Sequence, residues 1–118
     1  MDHRFGKHEK LKSKEQIKTL FSSGKTLKRF PVKLVYHPIT AASNKVAVSV
    51  PSKVFKRAVD RNRIKRLLRE CYRLNKHQLT DPSTHYAMMF IYIDRRKADF
   101  HGLFKTVQSL LTELDVKK

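Results

Sequence analysis

The sequence has one cysteine, Cys71, so it can form neither an intrachain disulfide nor a thiolate metal cluster. Cys71 falls on an apolar helical stripe, where a thiol is usually a small core residue and not a nucleophile. Glycine is nearly as scarce. Gly6, Gly24 and Gly102 are the only three and stand far apart, which excludes a glycine-rich loop that cradles phosphate. Acids are few, and no set of carboxylates converges as a two-metal nuclease site requires. Asp94 and Asp99 lie beside Arg95, Arg96 and Lys97, where ion pairing is expected in place of acid–base work. The histidines (His3, His8, His37, His77, His85, His101) are scattered, with no helical metal-ligand spacing. The longest apolar run, Tyr86 to Ile93, is too short to cross a bilayer. The first residues, Met1 to Lys7, lack the apolar region of a secretory signal. These shortages argue against chemistry by the protein's own side chains, and the expectation is a soluble, cytoplasmic chain.

Positive charge is what the sequence has in plenty. Lys and Arg number 27 against 10 acids, a formal charge of +17 over 118 residues. From His77 onward the two signs nearly balance, so the field belongs to the first two thirds. Such an excess opposes compaction and favours an anionic partner.

The excess peaks in Arg57-Ala-Val-Asp-Arg-Asn-Arg-Ile-Lys-Arg-Leu-Leu-Arg-Glu-Cys-Tyr-Arg73. Ile64, Leu67, Leu68, Cys71 and Tyr72 recur at the spacing of one helical face. At about 100° per residue, Lys65, Arg69, Asn62, Arg73 and Arg66 follow one another around the opposite side. A helix that needed only solubility would mix signs to gain pairs one turn apart. Like charges packed this way cost stability until a polyanion neutralises them, and Asn62 at their centre can both donate to and accept from sugar or base edges. The pattern points to nucleic acid.

The remaining chain reads as one α+β domain over residues 13–118, behind a flexible basic arm over 1–12. Ser13-Lys-Glu-Gln16 has capping-box spacing and opens a short helix. Ile17, Leu20 and Phe21 make its inner face, and Gly24 is placed to end it in a left-handed conformation. A strand follows from about Phe30 to His37, with Val32, Leu34 and Tyr36 on one side and Lys33, Val35 and His37 on the other. Lys45 to Val50 is a second strand. The basic helix runs to about Lys76, and Tyr86 to Ile93, apolar on both faces, is a central strand covered from both sides. The last helix carries Phe100, Leu103, Phe104, Val107, Leu110, Leu111 and Leu114 as a core stripe. The expected order is α-β-β-α-β-α, a small mixed sheet packed by helices. Its second strand, basic helix and third strand form a βαβ crossover, a unit that is right-handed in most proteins.

Ala58-Val59-Asp60-Arg61-Asn62-Arg63-Ile64-Lys65-Arg66-Leu67-Leu68-Arg69-Glu70 resembles the Arg-Asn-Arg motif of the bacterial ribonuclease P protein component. Val48-Ser49-Val50-Pro51-Ser52-Lys53 is similar to the strand and basic loop that precede that motif, and element order and length agree. The resemblance implies a left-handed crossover in place of the usual hand. It implies an RNA-binding domain that acts as the non-catalytic subunit of an endoribonuclease, whose catalytic RNA uses Mg²⁺ to remove the 5′ leader of precursor tRNA. Lys53, Lys56, Arg57, Arg61, Asn62, Arg63, Lys65, Arg66, Arg69 and Arg73 would face RNA. A leader cleft between the first helix and the sheet would use Ile17, Phe21 and Tyr36, with Val35 in place of Tyr36 if the register slips by one. Ile17 stands where the family usually has an aromatic residue, and Val54-Phe55-Lys56 replaces a loop that commonly holds a glycine. Neither a membrane nor an obligate protein oligomer is implied.

Three other readings fit the charge. A structural, ribosomal-type RNA binder would share the basic face without assisting cleavage. A major-groove DNA regulator would need a companion helix and a dimer seam. A membrane-surface helix would have to expose the face that carries Leu67 and Leu68.

Overall fold

In a computed structural model describing residues 9–117, helix α1 (Lys14–Ser23) begins where the capping spacing places it. Ser13 Oγ accepts the Gln16 N–H at 3.2 Å. The helix end departs from expectation. Gly24 has φ −72° and ψ 154°, extended and not left-handed, and leads straight into strand β1 (Lys25–Arg29). Glycine is needed there for close approach, because a Cβ would lie 2.2 Å from the Leu20 carbonyl oxygen.

Strand β1 is absent from the sequence-based order, so the observed chain runs α-β-β-β-α-β-α. Its sequence, Lys-Thr-Leu-Lys-Arg, has one buried residue, Leu27. It gains its structure from antiparallel pairing with β2 (Val32–Ile39), Leu27 opposite Leu34. Strand β3 (Lys45–Ser49) and helix α2 (Ala58–Asn75) follow, then a short 3₁₀ turn (Lys76–Gln78), β4 (His85–Tyr92) and α3 (Phe100–Lys117).

The sheet order is β1-β2-β4-β3. Strand β4 pairs antiparallel with β2 and parallel with β3, so β3–α2–β4 is the expected crossover. Alternation gives the sheet two different faces. One carries Val32, Leu34, Tyr36, Val46, Tyr86, Met88, Phe90 and Tyr92 against α2 and α3, which supply Ile64, Leu68, Tyr72, Leu103, Val107, Leu110, Leu111 and Leu114. The other carries Val35, Ala87 and Met89, with Leu20 of α1 and Leu11 packed on them. Strand β4 is therefore apolar on both faces because both are covered.

The arm expected over 1–12 falls on the described residues only at 9–12. Residues 1–8 lie outside the described residues, but Glu9 and Leu11 are buried. Lys10 bridges in parallel to Val46, and the Leu11 N–H donates to the Val46 carbonyl at 2.9 Å. The physical reason is that β3 is an outer strand whose outward backbone groups need a partner.

Candidate nucleic-acid interface

Helix α2 is oriented by its apolar stripe. Ile64, Leu68, Cys71 and Tyr72 are buried, and Leu67 packs half-buried beside them. This burial rules out the membrane-surface reading, which needed that face free. Desolvation pushes the Cys71 thiol up to about 12, so it stays protonated at neutral pH and serves the core. Asn75 continues the stripe in polar form, its Nδ2 donating to the Cys71 and Phe104 carbonyls and tying α2 to α3.

The opposite face is left to solvent. Asn62, Arg63, Arg66 and Arg69 are exposed, and Lys65 is half-buried. Among the described residues Asn62, Lys65, Arg66 and Arg69 have no side-chain partner, whereas two other arginines do structural work. Arg61 Nη1 donates to the carbonyls of Phe55 at 2.7 Å and Lys56 at 2.8 Å. Arg63 Nη1 donates to the Ala98 carbonyl at 3.1 Å. Of the predicted RNA-facing residues, only Arg73 is paired with a carboxylate among the described residues, that of Glu70. The Arg73 hydrogen bond holds the Glu70 carboxyl below its ordinary value.

The loop before α2 keeps Lys53, Lys56 and Arg57 exposed. It is pinned by Phe55, which is buried with its ring 6.2 Å from that of Tyr92. The loop Val54-Phe55-Lys56 therefore drives an aromatic plug into the core, and Arg61 fastens the plug's carbonyl.

A groove lies on the other side of the molecule's sheet, beside α1. Strand register sets three rows across this face, Lys33–Ile91–Ser49, Val35–Met89–Ala47 and His37–Ala87–Lys45, of which Val35, Ala87 and Met89 are buried beneath α1 and Leu11 and the rest are half-buried. Ile17 is half-buried along α1, and Phe21 is 58% exposed, so Phe21 is a surface residue and not part of the inner face. Tyr36 does not join them. It is buried in the face packed by α2 and α3, edge-on to Tyr86 at 5.8 Å, and Val35 takes the groove side. Alternation requires this, because Leu34 and Tyr36 must share the side of Val32.

Between groove and basic helix, an open cleft of about 540 Å³ is lined by Lys10, Leu11, Lys12, Val46, Ala47, Val48 and Arg69. The sequence pattern did not reveal Lys10 and Lys12, which it leaves in a loose arm. Leu11 between two lysines was the available signal, a weak one. Ile91 and Ala47 on this face were also missed, because a strand apolar on both sides does not reveal which side is which.

A family model for ribonuclease P matches residues 5–115. The chain belongs to the ribonuclease P protein family. It is the protein component of the ribonuclease P ribonucleoprotein endoribonuclease, and its partner is ribonuclease P RNA. The ribonuclease P protein component of Porphyromonas gingivalis is 36% identical over 115 residues, covering 92% of this chain and 84% of that one. That of a Picosynechococcus strain is 30% identical over 110 residues and covers 93% of each. Among solved structures, the ribonuclease P protein of Staphylococcus aureus superposes with a TM-score of 0.77 at 18% identity, covering 95% of this chain and all 100% of that one. That of Thermotoga maritima gives 0.73 at 22% identity, with 89% and 96% covered. At those identities the structures establish the shared fold. Among the described residues no helix is long and apolar enough to cross a membrane.

Proposed function

We propose that the outward face of α2 binds ribonuclease P RNA close to the cleavage site while the groove beside α1 holds the 5′ leader of precursor tRNA. The protein so assists the Mg²⁺-dependent removal of that leader by the catalytic RNA, in the cytoplasm. The observation that carries this reading is the row Asn62, Arg66 and Arg69, exposed on α2 and without partners among the described residues. Unneutralised like charges on a helix whose other face is fully used by the core are a standing cost that RNA phosphate removes.

The RNA contacts are to phosphate and 2′-hydroxyl, because the major groove of an A-form helix is too deep and narrow to admit an α-helix. In the groove, an extended leader offers base faces to Phe21 and phosphates to Lys33 and Lys45. Such binding is largely blind to sequence, which suits an enzyme with many substrates. Ala47 and Ile91, half-buried apolar residues of that sheet face, bring no aromatic ring, so stacking falls to Phe21 on the rim. Among the described residues no group of three or more His, Cys, Asp or Glu could hold a metal ion. Mg²⁺ is assigned mainly to the RNA by the family resemblance, and the protein's part is to hold and neutralise.

The test is leader cleavage by the catalytic RNA at low Mg²⁺, with and without the protein. Restored cleavage at the mature 5′ end is expected. Binding without restored cleavage would reduce the protein to a structural RNA binder, and cleavage by the protein alone would overturn the division of labour.

A further inference from the structure

The cleft where residues 9–12 run beside β3 brings together three cations, Lys10, Lys12 and Arg69, and among the described residues its lining includes no acid. The two lysines arrive there because their segment is fixed at two points. One is the Leu11 N–H on the Val46 carbonyl at 2.9 Å. The other is the Glu9 carboxylate, which meets Lys76 Nζ at 2.8 Å while 6% exposed. Burying an acid costs desolvation that a partner must offset, and Lys76 just past the end of α2 is also where the helix dipole favours a cation.

The cleft has the donors that a phosphodiester needs. Since the Val46 carbonyl faces outward, Val48 two residues on turns its backbone N–H the same way, into the cleft wall. With three cations, this makes a mixed set of charged and neutral donors above the apolar surface of Leu11 and Ala47. The cleft also joins the two surfaces described above, Arg69 belonging to the α2 ridge and Ala47 to the groove floor.

We propose that this cleft is a further phosphodiester-binding site for RNA, and that Glu9 is the positioning residue that builds it by docking Lys10 and Lys12 opposite Arg69. The site presupposes that α2 binds RNA. An acid thereby promotes the binding of a polyanion.

That inversion gives the experiment its sign. In the full chain, Glu9→Gln raises the formal charge above +17, so general attraction alone would tighten RNA binding. Release of the lysines should instead weaken it several-fold and flatten log K against log salt by about 1.4–1.8, the share of two phosphate contacts. Lys10→Gln/Lys12→Gln, at exposed side chains, should give the same flattening, and adding Glu9→Gln to it should cost little more. Tighter or unchanged binding by a folded Glu9→Gln protein overturns the proposal. Should that variant not fold, an unchanged salt slope for the double lysine variant overturns it as well. Arg66→Ala separates the two readings. If it weakens RNA binding while the cleft variants do not, only the cleft fails; if neither has an effect, RNA binding by α2 itself is refuted. Run against catalytic RNA and precursor tRNA separately, a loss on either supports the site and identifies the strand that fills it.

Discussion

Neighbouring arginines of α2 have separate tasks, and their hydrogen bonds assign them. Arg61 spends its guanidinium on the Phe55 and Lys56 carbonyls, which holds the aromatic plug of the preceding loop in the core. Arg66 and Arg69 spend theirs on no described residue. Arg61→Ala should therefore lower stability by about 1–3 kcal/mol, since it strips charged donors from backbone acceptors. Arg66→Ala or Arg69→Ala should leave stability within about 0.5 kcal/mol, yet flatten the salt dependence of RNA binding by about 0.7–0.9 for each phosphate no longer neutralised. Thermal melts and RNA titrations over a salt series check both, and an Arg61→Ala protein that melts like the parent would refute the fastening role. The basic face itself was legible because helical period sorts charged from apolar residues without any tertiary knowledge. Arg61's role was not, because its acceptors are main-chain oxygens whose position depends on where Phe55 goes. Tyr36 failed for a related reason. Strand alternation put it with Val32 and Leu34, but only the packing of α1 decides which of the two faces borders the groove.

The groove is a product of two elements, α1 and the sheet, and Phe21 is the exposed aromatic ring that α1 presents beside it. Because that ring is mostly in solvent, Phe21→Ala should shift stability by no more than about 0.5 kcal/mol. A leader base stacked on it is worth about 1–3 kcal/mol, so precursor tRNA should lose that much affinity while mature tRNA loses little. Equal losses for the two RNAs, or a large fall in melting temperature, would remove Phe21 from the leader site. The long elements, α2, β4 and α3, were readable since each repeats its period over several turns or residues. Strand β1 was not, having one apolar residue among polar and charged ones, so its existence rests on the backbone of β2. The end of β2 also differs from expectation, since the strand expected to stop at His37 runs on to Ile39 through Pro38. The Tyr86 N–H opposite it turns away to Asn44 Oδ1 at 2.7 Å, so Pro38 faces the side where β1 has already ended at the Lys25–Tyr36 pair. No ladder bond is sacrificed there.

For the molecule as a whole the dominant quantity is the charge of +17, gathered on a domain whose Cα radius of gyration is 13.4 Å. Ion pairs between described residues engage Arg29, Arg73, Lys76 and Arg96, and most of the charge of the first two thirds is left to repel itself. Screening acts over a distance comparable to the domain, about 30 Å at 0.01 M salt and about 10 Å at 0.1 M. Salt should therefore stabilise the free protein, raising its melting temperature across that range. RNA reverses the sign of the salt effect on its own contribution, because each phosphate contact is weakened as counterions accumulate. Ligand binding stabilises in proportion to the logarithm of ligand concentration over Kd, so the melting-temperature gain from added RNA should be largest at low salt and shrink as salt rises. Two melting curves against salt, with and without RNA, should consequently converge. Were the free protein indifferent to salt while RNA still stabilised it, self-repulsion would be negligible, and the exposed row Asn62, Arg66 and Arg69 of α2 could no longer be explained as a cost that its partner relieves.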